Sequence, residues 1–273
     1  MMMERLLPMN HSNHNEVHIN QAEAGLQIFL ALPFIIVLIL YLIAVFISNR
    51  HHRNWPLART VYWVSGVLLA ILAVAGPIAT RAHIDFTAHM LGHLLLGMLA
   101  PLLMILAAPM TLMLRTISVT SARRLTRVLR SWPSRMFTHP IVASFLNIGG
   151  LWLLYTTNLY ALMHENNMLN YLVHIHVFIA GYLFTLSMIY IDPILHRSSF
   201  LFRSIVLIIA LAGHGILSKY LYTHPPAGIP FEQAKQGSMM MYYGGDIIDL
   251  ILIFILCLQW FRATKPRREA AMG

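Results

Sequence analysis

Long apolar runs separated by short polar segments dominate the chain. Seven runs each contain the roughly 20 mainly apolar residues that one helical crossing of a bilayer needs. They extend over Leu26 to Ser48, Ala58 to Ala79, His89 to Leu114, Pro140 to Tyr160, Leu169 to Ile191, Phe200 to Tyr222 and Met239 to Phe261. This pattern predicts an all-α, polytopic membrane protein with seven transmembrane helices and a multi-pass location in a cell membrane.

The composition agrees with this prediction. Hydrophobic residues make up 58% of the chain and charged residues only 11%, whereas a soluble globular protein has about a quarter of its residues charged. The single cysteine, Cys257, lies in an apolar run, which excludes a disulfide framework and a Cys-x-x-Cys motif. We expect it to be an isolated core thiol. The 15 histidines and 17 methionines are the abundant groups left for chemistry.

The positive charges predict the orientation of the chain. Of the 19 Lys and Arg residues, 15 lie in one alternating set of connecting segments and 4 in the other. Because cytoplasmic segments are enriched in Lys and Arg, the N-terminus is expected outside and the C-terminus in the cytoplasm. The net charge of +9 then reflects topology and contact with the lipid bilayer, and we expect no nucleic-acid partner.

The chain divides into three predicted parts: an extracytoplasmic tail at 1–25, a transmembrane domain at 26–262 and a basic cytoplasmic tail at 263–273. The first part lacks the apolar core of a cleavable signal peptide. Within the second, apolar and basic positions at about 116–133 fall on different helical faces, which favours a basic helix on the inner membrane surface over a solvated loop.

The N-terminal tail carries His11, His14 and His18 beside four methionines. A His- and Met-rich tract of this kind can collect a soft or borderline metal ion, although short polar tails are often simply disordered. Eleven of the 15 histidines, these three included, fall on the predicted outer side or in the outer halves of spans. This asymmetry indicates that the outer face uses imidazole.

Several of these polar groups are predicted at one depth, roughly 6 to 12 Å inside the outer ends of their helices. They are His93, His174, His176, His214 and Asp246. Ionisable groups at such a depth are costly and usually face the bundle interior, a partner or a water-filled cavity. We therefore treat them as candidate site residues.

His89 and His93 are four residues apart, so both imidazoles can lie on one helix face and hold one metal ion. The alternative is one interface histidine and one packed histidine. His174 and His176 are two apart and point to different sides of a regular helix. At most one of them joins a site, and we favour His176, with His174 facing outward or supporting it.

The sixth and seventh spans contribute the remaining candidates. His214 lies between Gly213 and Gly215, which allow a neighbouring helix to approach closely. Asp246 and Asp249 follow two glycines and share a face of the seventh helix. A buried carboxylate needs a cation, and a metal ion or an imidazolium would serve. For Asp249, an ordinary ion pair with Lys219 is the alternative.

The ligand types favour copper, with zinc as the alternative. Imidazole suits both metals, thioether groups favour cuprous copper, and the few carboxylates argue against calcium and magnesium. We find no nucleophile and base arrangement and do not predict an enzyme. Two alternatives stay open: a haem-binding electron-transfer protein with axial histidines, and, less favoured, a copper or proton transporter, because the inner halves of the spans contain almost no ionisable residues.

Four stretches resemble a known family. The run from His89 to Leu96, continuing through Ala100-Pro101 and Ala108-Pro109 to Leu114-Arg115, resembles the signature helix of the CtaG-type cytochrome c oxidase assembly factors, a seven-helix bacterial family associated with caa-type oxidases. The other stretches are His174 to Phe184 with Asp192-Pro193, His214, and Met241 to Asp246.

The resemblance implies a factor in a bacterial cell membrane that matures a haem-copper oxidase by supplying copper at the outer face. Its implied partners are oxidase subunits and other copper chaperones. The positions that match the characteristic polar residues of the family are His89, His93, His174, His176, His214 and Asp246.

Overall fold

The computed structural model describes residues 11–193 and 197–265, with side chains from residue 25 onward within those ranges. The side chains of the His- and Met-rich tail, and all but the first residues of the basic C-terminal tail, lie outside the described part. The metal-collecting role expected of the tail is therefore a prediction without structural evidence.

The described chain is helical. Its main helices are α1 (His11–His51), α2 (Leu57–Ala82, interrupted at Ala75 and Gly76), α3 (Phe86–Leu106), α4 (Pro140–Thr156), α5 (Asn167–Met188), α6 (Phe200–Thr223) and α7 (Phe231–Thr264). Within the described residues, six helices are long and apolar enough to cross a membrane. A seventh crossing is added if α4 is counted together with the helix Leu159–Glu165, which follows it at an angle of 78°. This confirms an all-α membrane protein with six to seven spans.

Side-chain caps explain where several helices begin. The Asp85 carboxylate accepts a hydrogen bond from the Thr87 amide, 2.8 Å away, at the start of α3. Asn166 and Ser199 cap α5 and α6 in the same way. A capping side chain satisfies a backbone N–H that has no partner inside the helix. The polar breaks in the sequence therefore fix the helix starts.

The third span is shorter than the sequence pattern predicts. It ends at Leu106 instead of Leu114, because Ala108 adopts a left-handed conformation with φ 52° and a residue before proline avoids the helical region. A separate helix, Pro109–Thr116, follows. Its first amides, those of Met110 and Thr111, donate to the Asp192 carboxylate over 3.0 and 2.7 Å. Asp192 thus connects the start of this helix to the segment that follows α5.

Other boundaries also differ from expectation. α7 begins at Phe231, ahead of the expected Met239, and α1 begins at His11, ahead of Leu26. The segment after the third span contains two short helices without buried residues, Val119–Leu129 and Trp132–Phe137. Cys257 is exposed on α7, so its expected place in the core was wrong. An apolar run in a membrane helix does not distinguish the lipid-facing side from the core.

The bundle has two chemically different ends. At one end, here called the histidine end, α2 joins α3 around His83, and Gln233 at the start of α7 accepts from the Phe86 amide. At the other, the arginine end, the Arg115 guanidinium donates to the carbonyl oxygen of Arg53 over 2.9 Å. Helix α3 is central: 61% of its most apolar stretch is buried, against 17–33% for α1, α2, α5, α6 and α7.

Two wide helical turns interrupt the central helices, at Leu95–Leu99 in α3 and Phe145–Gly149 in α4. In α3, Pro101 has no N–H and cannot bond to the Gly97 carbonyl four residues earlier. This carbonyl faces α5 at Gly181, where a Cβ atom would overlap the Gly97 oxygen. Glycine at 181 therefore allows the two backbones to touch. Wide turns of this kind occur frequently at functional sites.

Replacing Gly181 with alanine is expected to destabilise the protein, because the added Cβ meets rigid backbone. Overpacking of this kind costs about 1 to 3 kcal/mol, which thermal unfolding in detergent would measure. Gly149→Ala is the matched control, since its Cβ would make only ordinary contacts with the Phe145 ring, the closest at 3.6 Å. Equal unfolding temperatures for the two variants would contradict the close backbone contact.

Candidate functional site

A small cavity lies in the middle of the bundle, enclosed by α3 to α7. Its volume of about 20 Å³ suits a single water molecule or ion. We call it the central cavity. Its lining combines apolar side chains with the following polar or sulfur-containing ones: His93, Met98, Asn147, Thr185, His214 and Asp249.

His93 of α3 and His214 of α6 face each other here, with ring centres 6.2 Å apart. Their exposed fractions are only 6% and 4%. Both ring nitrogens of His93 and Nε2 of His214 lack a hydrogen-bond partner among the described residues. Two imidazoles bound to one ion, with metal–nitrogen bonds near 2 Å, have ring centres roughly 5 to 6.5 Å apart. The separation of 6.2 Å falls within this range.

Asp249 of α7 adds a carboxylate to the same cavity. It is 6% exposed, and the described residues provide it with neither a hydrogen bond nor an ion pair. The competing cation Lys219 lies elsewhere, with its ammonium 5.1 Å from the ring centre of Tyr242. A buried carboxylate without a partner is costly. A cation in the central cavity would compensate this charge.

The local backbone explains how these groups meet. The wide turn of α3 begins two residues after His93 and carries Met98, and the wide turn of α4 carries Asn147. On α7, a Cβ at Gly245 would lie 2.6 Å from Cε1 of His214. Glycine at this position lets the imidazole of α6 pack against the α7 backbone. Asp249 follows one helical turn later.

Nearer the histidine end lies a second cavity of about 30 Å³, here called the middle cavity. His89, His93, Tyr155 and His174 contribute its polar groups. Nε2 of His89 lies 3.0 Å from the Tyr155 hydroxyl. Nδ1 of His174 donates to the Asn170 carbonyl over 2.9 Å, which leaves Nε2 of His174 with a free lone pair. Backbone bonds of this kind orient imidazoles that bind metals.

Two of the expected site residues do not reach these cavities. His176 is exposed, and its Nε2 donates to the Leu146 carbonyl of α4 over 3.1 Å. Asp246 is exposed on α7. The structure therefore puts His174 at a cavity where His176 was favoured, and it buries Asp249 where Asp246 was favoured. Within the described ranges, no three His, Cys, Asp or Glu side chains lie close enough to bind one ion as they stand.

The sequence pattern missed Met98, Asn147, Tyr155 and Thr185. Each is a common residue of membrane helices, and no motif marks it. The one available signal was proximity in sequence, since Met98 lies five residues after His93 and Asn147 lies in the span that packs beside α5 and α6. Met98 and Asn147 lie in the wide turns, and the positions of such turns cannot be read from residue types.

These features define a polytopic membrane protein with a histidine- and carboxylate-lined site inside its bundle. The chain belongs to the family of cytochrome c oxidase caa3 assembly factors, whose family model, Caa3_CtaG, matches residues 39–263. The resemblance noted in the sequence is thereby confirmed over most of the chain.

Curated relatives come from mycobacteria. Uncharacterized protein ML1998 of Mycobacterium leprae is 28% identical over 242 residues, which are 81% of this chain and 37% of that protein. Uncharacterized protein Mb0105 of Mycobacterium bovis is 30% identical over 152 residues, which are 53% of this chain and 23% of that protein. The matched part of the chain therefore spans 37% of the length of the first relative and 23% of the length of the second. No solved structure matches the chain.

Proposed function

We propose that this protein binds a copper ion in the central cavity and delivers it to cytochrome c oxidase during assembly. The observation that carries the proposal is the buried pair His93 and His214, whose facing rings lie 6.2 Å apart beside the unpaired carboxylate of Asp249. Such buried polar groups need a partner, and one ion would provide it for all three.

The lining favours copper over zinc. Imidazole binds both metals, but a thioether prefers cuprous copper, and Met98 lines the same cavity. Rotation of the flexible Met98 and Asp249 side chains toward a pair of imidazoles would complete a site of low coordination number. A site of this kind releases its ion by ligand exchange more readily than a closed tetrahedral site. We accordingly propose a carrier and not an enzyme.

The packing between the central cavity and the arginine end favours delivery of the ion at the histidine end. Leu102, Phe184 and Leu252 line the central cavity and belong to an apolar cluster that continues toward the arginine end. Moving an ion among these apolar side chains would be costly. Transport across the membrane is therefore disfavoured relative to uptake and release at one end. With 15 of the 19 cations on the opposite side, we propose that the histidine end faces outward from a bacterial cell membrane.

Haem binding, the second class considered from the sequence, is less favoured. A volume of about 20 Å³ does not accommodate a porphyrin between His93 and His214. Binding haem there would require the helices to separate at close contacts such as the one between Gly97 and Gly181. The enclosed pair of imidazoles suits a bare ion.

Cells that lack this protein should assemble an oxidase with its haem but with less copper. The measurement is the metal and haem content of the purified oxidase. Wild-type protein should restore the copper, whereas a variant with His93→Ala and His214→Ala, present at equal amount in the membrane, should not. An oxidase with its full copper content in the deficient cells would refute the delivery role.

A further inference from the structure

A third cavity lies at the histidine end of the bundle and is lined by four imidazoles. Its volume is about 30 Å³, and we call it the end cavity. The four imidazoles come from different elements: His83 from the connection between α2 and α3, His89 from α3, His164 from the helix Leu159–Glu165, and His174 from α5. The buried thioether of Met163 lines the same space.

The spacing of these rings repeats that of the central pair. Ring centres are 5.9 Å apart for His83 and His164 and 6.3 Å apart for His89 and His164. Both distances fall in the range, roughly 5 to 6.5 Å, expected for two imidazoles on one ion. His83 and His164 are also exposed, unlike His93 and His214, so an ion arriving from water meets them first.

Hydrogen bonds orient two of these imidazoles as ligands. Nδ1 of His164 donates to the Tyr160 carbonyl over 2.9 Å, and Nδ1 of His174 donates to the Asn170 carbonyl over the same distance. In each ring the proton is thereby fixed on Nδ1, and the lone pair of Nε2 is available to a metal. An unoriented surface histidine would lack this arrangement.

The three cavities follow one another along the bundle and share lining histidines. His89 and His174 line both the end cavity and the middle cavity, and His93 lines both the middle cavity and the central cavity. Transfer of an ion along this series would form one metal–nitrogen bond as another breaks. This exchange transfers no electron and needs no further reactant.

We propose that His83 and His164 form a capture site for cuprous copper, which passes by way of His89 and His174 to His93 and His214. The inference rests on the proposed copper-binding function and adds the route to the central cavity. It assigns a role to His83 and His164, which are not among the positions that match the characteristic polar residues of the family. The expected signature is kinetic, because a capture site sets the rate of loading and leaves the final occupancy unchanged.

The test follows cuprous copper moving from a chromophoric chelator to the full-length protein in detergent. The double variant His83→Ala and His164→Ala should load about tenfold or more slowly yet reach the wild-type copper content. His164→Met, which restores a soft ligand, should regain much of the rate. His224→Ala is the matched control, since His224 is exposed at the same end and stacks on Tyr220 at 4.4 Å; it should load like wild type.

Three outcomes are decisive for this route. A wild-type loading rate in the double variant would overturn the capture site while leaving the central site intact. A loss of final copper content in that variant would also overturn it, because the two histidines would then belong to the resident site. Failure of the wild-type protein to take up copper would instead refute the proposed function itself.

Discussion

Replacing His93 or His214 with alanine is expected to lower the copper affinity of the purified protein more than about 100-fold. Removal of a group that only orients a metal ligand costs 10- to 100-fold, so removal of a buried ligand should exceed that range. The double variant should retain no copper after dialysis against a weak chelator. The measurement is competition against a chelator of known affinity, with metal content determined in parallel.

His176→Ala is the control for this prediction. Its imidazole is exposed and bonds to the Leu146 carbonyl of α4, so its removal should leave the affinity unchanged. This variant distinguishes two predictions: the sequence pattern favoured His176 as a ligand, whereas the structure places it away from the cavities. Loss of copper in His176→Ala, together with full copper retention in His93→Ala, would place the metal on the other side of α5.

Asp249→Asn is expected to have opposite effects on stability and on copper binding. Without metal, the substitution removes a buried carboxylate that has no partner in the described structure, so the unfolding temperature should rise. With metal, it removes the negative charge beside the ion, and the affinity should fall about tenfold or more, equal to at least about 1.4 kcal/mol. Thermal unfolding with and without cuprous copper measures both effects.

Asp246→Asn supplies the matched comparison, because Asp246 lies one turn away on the same helix but is exposed. It should change neither the unfolding temperature of the metal-free protein nor the copper affinity. If Asp246→Asn reduced copper binding and Asp249→Asn did not, α7 would have to be rotated relative to the arrangement described here, and the central cavity would lose its carboxylate.

The membrane spans could be predicted from the sequence because bilayer thickness sets a minimum length for each apolar run. Prolines inside the spans indicate where a helix bends, but the form of the break could not be predicted. Ala108 in its left-handed conformation depends on Pro109, which the sequence contains, but also on the Asp192 carboxylate, which lies far along the chain and accepts from Met110 and Thr111. A hydrogen bond between distant segments leaves no local pattern.

The candidate site could be predicted in part. Charge and depth identified His93 and His214, because a buried ionisable group is rare whatever its partner. For two residues that lie close together on one helix, the sequence does not show which of them faces the site. The rotation of α5 about its axis decides whether His174 or His176 faces the bundle interior, and the rotation of α7 decides the same for Asp246 and Asp249. This rotation depends on packing between distant residues, such as the contact of Gly181 with Gly97.

The sequence also did not single out His83 and His164, which lie at the surface. Neither lies deep in a span, so depth gave no reason to single them out. They meet because the helix Leu159–Glu165 turns by 78° from the axis of α4 and lies beside the connection between α2 and α3. Only the fold shows that these separate histidines share one cavity.

X-ray absorption of the copper-loaded protein tests the central claim most directly, namely that His93 and His214 hold one ion between α3 and α6. We predict that the spectrum of the wild-type protein contains the outer-shell scattering of two imidazoles on each copper. Either single alanine variant, loaded at high copper concentration, should lose one of them. The same two-imidazole spectrum in the variant that lacks both histidines would contradict the account.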